Sequence, residues 1–144
     1  MVAGKRLPRV IRDATQLVVK LGFRYLWVDA LCIVQDSLAE QQRLIDGMDR
    51  IYESAYATII IPGCQNSDCA IPGVSTERPK INEMMGTFIT EEHRIYFGTY
   101  LQDLEDHVTS GSWQKRGWTL QEQLLSRRCL YLTKSEAFFY GNNT

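Results

Sequence analysis

The chain has 144 residues, of which 44% are hydrophobic and 23% are charged, and its formal net charge is −1. This length fits one domain with its own core, and the near-average composition excludes disordered, collagen-like and coiled-coil proteins. The near-neutral charge argues against a nucleic-acid-binding domain, and no apolar run approaches the roughly 18 residues of a membrane-spanning helix.

Hydrophobic periodicity in the first quarter of the chain predicts a helix followed by a buried strand. Apolar side chains recur at helical spacing over residues 8–21, and Gly22 follows where a helix would end. Residues 23–34 (FRYLWVDALCIV) are rich in aromatic and β-branched side chains. Such a run is typical of a strand that is covered on both faces.

The same alternation is then repeated. The helical period returns over residues 40–55, and residues 56–63 (YATIIIPG) predict a second buried strand that ends at Pro62 and Gly63. Helix, strand, helix and strand with short connections predict an α/β domain with a parallel sheet.

The second half of the chain is less regular. Residues 64–80 carry two prolines and many small polar side chains, which predicts a loop. The later segments predict, in order, a hairpin over 84–100, a short helix over 117–126 (GWTLQEQLLS), a third buried strand over 127–133 (RRCLYLT) and an apolar stub from residue 137.

Cysteine usage favours free thiols. The chain contains four cysteines, which are Cys32, Cys64, Cys69 and Cys129. No apolar stretch typical of a secretory signal lies near residue 1, so we expect a reducing, cytoplasmic environment. A metal held by Cys64 and Cys69 would need His93 or His107, and because their spacing is not a common zinc pattern we expect no metal.

Carboxylates are the remaining candidates for chemistry, since no phosphate-binding glycine loop, nucleophile elbow or zinc-binding helix motif is present. Asp29 falls at the carboxyl end of a predicted strand, where ligands of open α/β sheets gather. Its alternative role is to cap the following turn or to pair with an arginine. Asp36 shares this ambiguity, with helix capping favoured because it lies shortly before a helix.

Glu122 is the other candidate carboxylate. On the predicted helix 117–126, Trp118, Glu122 and Leu125 share one face. A carboxylate between an aromatic and an aliphatic side chain needs a partner or a ligand. The alternative to a functional role is a salt bridge with one of the nearby arginines, which are Arg116, Arg127 and Arg128.

Four blocks of the sequence together resemble the fungal heterokaryon incompatibility (HET) domain family. They occur in the family's order between about Leu7 and Leu132, and they are residues 12–14 (RDA), 25–36 (YLWVDALCIVQD), 48–55 (MDRIYESA) and 116–122 (RGWTLQE). The resemblance implies a fold related to Toll/interleukin-1 receptor (TIR) domains, which is a flavodoxin-like parallel sheet flanked by helices. It also implies a role in fungal self/non-self recognition that triggers regulated cell death.

The relation to TIR domains implies a candidate reaction. Enzymatic TIR domains carry a tryptophan and a glutamate four residues apart on one helix, and that glutamate serves cleavage of the nicotinamide–ribose bond of NAD⁺. Trp118 and Glu122 match this spacing, so the resemblance implies that Glu122 is catalytic. Substrate-binding roles would fall to Trp118, Trp27, Asp29 and Asp36. NAD⁺ would then be a substrate, and we expect no cofactor.

The chain also departs from the family pattern. Family members usually begin with a strand before the first helix, so we expect residues 1–144 to form one domain that lacks this strand. Gln41 and Leu44 stand where the family usually has a tryptophan and an acidic residue, and Arg127 stands in place of a proline.

A missing first strand would leave a central strand edge open to other chains. The alternatives are therefore a non-catalytic interaction module or an inactive remnant of the domain. We expect partners to be further copies of this chain or other cell-death signalling proteins, and not nucleic acid, membrane or metal.

Overall fold

The computed structural model describes residues 6–78, 86–90, 94–97, 103–109 and 119–141. Within these ranges the chain forms six helices and five strands. The helices are α1 (Arg9–Lys20), α2 (Asp29–Cys32), α3 (Leu38–Asp46), α4 (Met48–Ser54), α5 (Leu104–Thr109) and α6 (Thr119–Leu125). The strands are β1 (Thr58–Ile60), β2 (Gly86–Ile89), β3 (Arg94–Phe97), β4 (Arg128–Leu132) and β5 (Ala137–Gly141).

Helix α1 confirms the first predicted helix. Ile11 and Val18, seven residues apart on one stripe, are both buried. The helix ends at Lys20, and Gly22 follows two residues later with a φ of +82°, which favours a residue without a Cβ. The amide of Gly22 donates to the carbonyl of Val19, and the amide of Phe23 donates to the carbonyl of Val18. These two hydrogen bonds satisfy carbonyls that the helix end would otherwise leave unpaired.

The strand predicted over residues 23–34 is wrong. Residues 23–28 join no ladder with any described strand, and α2 occupies the middle of the segment. Ile33 is the one residue of the run that is buried, whereas Tyr25 is 89% exposed. Aromatic and β-branched composition suits a pleated, half-buried surface, but a strand also needs a neighbour to pair with, and composition does not supply one.

The helix predicted over residues 40–55 is two helices. Helix α3 ends at Asp46 and α4 begins at Met48, and Gly47 separates them. Ser37 caps α3, because its hydroxyl oxygen accepts a hydrogen bond from the amide of Glu40 at 3.4 Å. The capping role favoured for Asp36 is therefore wrong, and the hydroxyl one residue later fills the N-cap position.

The main sheet has three strands in the order β1-β4-β5. Strands β1 and β4 pair in parallel, with Thr58 opposite Cys129 and Ile60 opposite Tyr131. These are the strands predicted over 56–63 and 127–133. The predicted apolar stub forms β5, which pairs antiparallel with β4, so the sheet is mixed rather than parallel throughout. The α/β class is confirmed, and β2 and β3 form the predicted antiparallel hairpin.

The core of this sheet is formed by Ile60, Cys129 and Tyr131. Helix α5, which the periodicity analysis did not detect, packs Leu104 and Val108 against them. Its six residues are too few to show a helical period. None of the described helices is both long enough and apolar enough to cross a membrane.

The predicted loop over 64–80 is irregular as far as residue 78, and it is fastened in two ways. Cys64 and Cys69 form a disulfide, with their Cα atoms 5.8 Å apart, so the expectation of free thiols is wrong for this pair. Asp13 of α1, only 3% exposed, accepts hydrogen bonds from the amide of Ile71 at 2.8 Å and from the hydroxyl of Ser75 at 2.5 Å. We call residues 64–78 the docked loop.

Removing the Asp13 carboxylate should destabilise the fold. We expect Asp13→Ala to lower the free energy of unfolding by about 1–3 kcal/mol, because the buried amide of Ile71 loses its acceptor. Urea denaturation measures this change. Gln16→Ala, at an exposed position of the same helix, is the control and should stay within about 0.5 kcal/mol of the unmodified chain. Equal effects of the two substitutions would contradict the docking role of Asp13.

Candidate functional site

Three side chains from distant parts of the sequence meet beside the main sheet. The hydroxyl of Tyr52 on α4 donates a hydrogen bond to Oε1 of Glu122 on α6 at 3.4 Å. Trp27, from the extended segment before α2, packs against the Tyr52 ring in a T-shaped arrangement with ring centroids 6.4 Å apart. We call these residues the Trp27–Tyr52–Glu122 cluster.

The sheet topology explains why α4 and α6 lie together. Helix α4 leads into β1 and α6 leads into β4, each through a connection of two or three residues. Because β1 and β4 are parallel neighbours, both helices approach the same end of the sheet. The cluster therefore lies near the amino ends of the two strands. Sequence reasoning had expected a site at the carboxyl ends, which is the usual place in open α/β sheets.

A hydrogen-bonded pair of hydroxyls joins the end of α6 to β1. The hydroxyl of Ser126 donates to the backbone carbonyl of Glu122 at 2.5 Å. A serine hydroxyl has a single proton, so the hydroxyl of Thr58, also 2.5 Å from that of Ser126, is the donor in this second contact. Ser126 is 3% exposed, and these bonds satisfy its polar group inside the protein.

Two ionisable side chains of β4, Cys129 and Tyr131, keep their neutral forms because burial raises their pKa values. Burial raises the pKa of the Cys129 thiol above its ordinary value of 9.0, and the negative charge of Glu122 acts in the same direction. Side-chain hydrogen bonding with Tyr131 and Ser126 acts against this rise. Burial and the neighbouring Cys129 raise the pKa of Tyr131 to about 12. Cys129 is therefore a neutral thiol at physiological pH and not an activated nucleophile.

The other two predicted carboxylates, Asp29 and Asp36, lie at exposed positions in and after α2. Asp29 is exposed at the start of α2, where its Oδ1 accepts a hydrogen bond from the amide of Ala30 at 2.6 Å. The predicted strand end at Asp29 is thus a helix start. Asp36 is exposed, and within the described ranges neither aspartate hydrogen-bonds to Glu122. Trp118 lies outside the described residues.

The salt-bridge alternative for Glu122 is not found with Arg128. The guanidinium of Arg128 lies 4.7 Å from the ring centroid of Tyr56 and donates to the carbonyl of Tyr56 at 3.3 Å. Arg127 is exposed, and Arg116 lies outside the described residues.

Sequence reasoning missed Tyr52 as a partner of Glu122. Tyr52 stands beside the apolar stripe of the helix predicted over 40–55, and the structure buries it, with 9% of its surface exposed. A buried tyrosine usually finds a hydrogen-bond partner for its hydroxyl, and this was the signal available in the sequence. The partner itself is 70 residues away in the chain, so no local pattern could identify it.

The arrangement suits stabilisation of a positive charge. A half-buried carboxylate that a phenol orients beside aromatic rings offers a fixed negative charge in a partly dry environment. A separate open cavity of about 520 Å³ is lined by residues 73–78 of the docked loop and includes no cluster residue. The described ranges contain no group of three or more His, Cys, Asp or Glu side chains placed to hold a metal ion.

Comparison with protein-family models gives a match over most of the chain. The family model described as "Heterokaryon incompatibility protein (HET)" matches residues 3–122. Neither the comparison with curated proteins nor the comparison with solved structures finds a match. The matched residues include Trp27, Tyr52 and Glu122.

The raised pKa of Tyr131 predicts a loss of stability in alkali. Its folded-state pKa of about 12 exceeds its ordinary value of 10.0, so the stabilisation is complete below pH 10 and is lost as the pH rises through 12. The free energy of unfolding should fall by on the order of 2 kcal/mol across this window. Urea denaturation at a series of pH values measures it. Tyr131→Phe should flatten the fall, and the exposed-site control Tyr25→Phe should not. The same alkaline fall in both variants would contradict this assignment.

Proposed function

Because the chain belongs to the heterokaryon incompatibility (HET) family, we propose that it acts in fungal self/non-self recognition as a cytoplasmic module that triggers regulated cell death. Membership of the family suggests a role in heterokaryon incompatibility. The observation that carries the proposal is the family match, which extends over residues 3–122.

The proposal includes a fold relationship to TIR domains. The parallel pairing of β1 with β4, and the helices that lead into each of these strands, support it. The antiparallel β5 is an addition to the parallel sheet of a flavodoxin-like fold. The relationship matters because it identifies the reaction to test.

The proposed reaction is hydrolysis of the nicotinamide–ribose bond of NAD⁺. The C1′–N bond breaks, and nicotinamide leaves with the bonding electron pair. The ribose carbon becomes an oxocarbenium-like cation, which the carboxylate of Glu122 stabilises electrostatically. Water then adds to C1′ and loses one proton, which gives ADP-ribose. The support is the partly buried carboxylate, which accepts a hydrogen bond from Tyr52, and the ring of Tyr52 packs against Trp27.

The remaining predicted residues have binding roles in this proposal. Trp27 and Trp118 would form aromatic walls for the nicotinamide or adenine ring, and Asp29 and Asp36 would accept hydrogen bonds from ribose hydroxyls. We expect no cofactor, because NAD⁺ is itself the substrate.

A second candidate function is a non-catalytic module that acts by self-association. The observation in its favour is a set of exposed apolar side chains that extends from the last turn of α1 to the first residue of α3. They are Val19 (67% exposed), Leu21 (52%), Phe23 (40%), Tyr25 (89%), Leu31 (55%), Val34 (40%) and Leu38 (84%). Exposed apolar surface of this kind marks interaction sites, and contact between copies of the chain would bury it.

Substitution of the carboxylate tests the enzymatic proposal. With purified, concentrated protein, Glu122→Gln should reduce the rate of NAD⁺ loss by about 100-fold, because the amide keeps the shape but removes the charge. Glu105→Gln, at an exposed position of α5, is the matched control and should retain full activity. Chromatographic detection of nicotinamide and ADP-ribose measures both rates.

Each other outcome has a distinct meaning. Equal rates for the unmodified chain and Glu122→Gln would remove Glu122 from the mechanism. A stable dimer or filament that never consumes NAD⁺ would favour the interaction module. The absence of a cooperative unfolding transition would instead identify an inactive remnant.

A further inference from the structure

The short segment that the disulfide closes contacts the start of α1. Between its two cysteines, the carbonyl of Ser67 accepts a hydrogen bond from the amide of Val10 at 3.2 Å. Val10 lies in the first turn of α1, where backbone amides have no partner within the helix. The ring closed by Cys64 and Cys69 therefore supplies an acceptor that this helix end needs.

The loop after the disulfide is also fixed to α1. Ile71 follows Cys69 by two residues, has no exposed surface, and donates its amide to Asp13. Ser75 donates to the same carboxylate and accepts a hydrogen bond from the guanidinium of Arg9 at 3.3 Å. Arg9, Val10 and Asp13 of α1 thus all contact the docked loop. The disulfide closes the part of the loop that Val10 contacts.

Both cysteines of the pair are partly exposed, in contrast to the buried Cys129. A disulfide that a reductant can reach is open to thiol–disulfide exchange, whereas a fully buried one is protected. The five-residue separation lets the two sulfurs find each other again after reduction without rearrangement of the fold.

We propose that Cys64 and Cys69 form a reversible redox site whose oxidation state controls how firmly the docked loop is held against α1. A dithiol reductant delivers two electrons and two protons. The Cys64–Cys69 sulfur–sulfur bond breaks, two thiols form on the protein, and the reductant becomes a disulfide. A small-molecule disulfide, such as oxidised glutathione, reverses the reaction through a mixed disulfide and leaves as two thiols.

Reduction removes the covalent constraint on Ser67, and the loop is then held by its hydrogen bonds to α1 and by the burial of Ile71. The loop then opens more often, and the amides of Val10 and Ile71 meet water more often. A disulfide that closes a short loop constrains the open state, and we expect reduction to increase local opening by roughly 10-fold. The β4–β5 ladder shares none of these contacts and should keep its protection.

Amide hydrogen exchange followed by NMR tests the proposal on the full chain, before and after reduction with dithiothreitol. The amides of Val10 and Ile71 should exchange roughly 10-fold faster after reduction, and those of the β4–β5 ladder should not change. The double variant Cys64→Ser/Cys69→Ser should match the reduced chain and should not respond to dithiothreitol. Cys32→Ser, which removes an exposed thiol outside the pair, should respond as the unmodified chain does.

Three results would overturn the proposal. Unchanged exchange at Val10 and Ile71 after reduction would show that the disulfide does not hold the loop. The same acceleration throughout the β4–β5 ladder would show a global loss of stability instead of local release. Four reactive thiols in denatured protein that had been incubated with oxidised glutathione would show that the pair does not form.

Discussion

The parallel pairing of β1 with β4 is the constraint on which the rest of the structure depends. It joins segments that are about 70 residues apart, with Thr58 opposite Cys129, and so it brings α4 and α6 to one end of the sheet. Tyr52 and Glu122 meet because their helices lead into these two strands. The same pairing creates the core, since Ile60 and Tyr131 lie opposite each other and both are buried.

Buried polar groups fix α6 to this sheet and α1 to the docked loop. Ser126 ties the end of α6 to Thr58 of β1, and Asp13 ties α1 to the docked loop. Each of these groups would be costly to bury without a partner, so each allows few arrangements of the elements it joins. The Glu122 carboxylate is therefore positioned by the hydrogen bonds of Ser126 at the end of α6 as well as by the contact with Tyr52.

Local patterns in the sequence predicted the elements whose signal is local. Helix α1, strands β1 and β4 and helix α6 have clear periodicity or short apolar runs, and the structure contains them. The strand over 23–34 was wrong because its pairing partner is not encoded in its composition, and β5 was read as a stub for the same reason. Glu122 could be singled out from its helix face, but its partner Tyr52 could not, since their contact arises only from sheet topology. The Cys64–Cys69 disulfide was missed because compartment, not geometry, guided the expectation.

A double-mutant cycle with Tyr52→Phe and Glu122→Ala tests most directly whether the sheet brings these side chains together. The free energies of unfolding of the unmodified chain, the two single variants and the double variant give the coupling between the two positions. We predict a coupling of about 0.5–1.5 kcal/mol, because either substitution alone removes the same hydrogen bond. Additive effects, with no coupling beyond experimental error, would contradict the account.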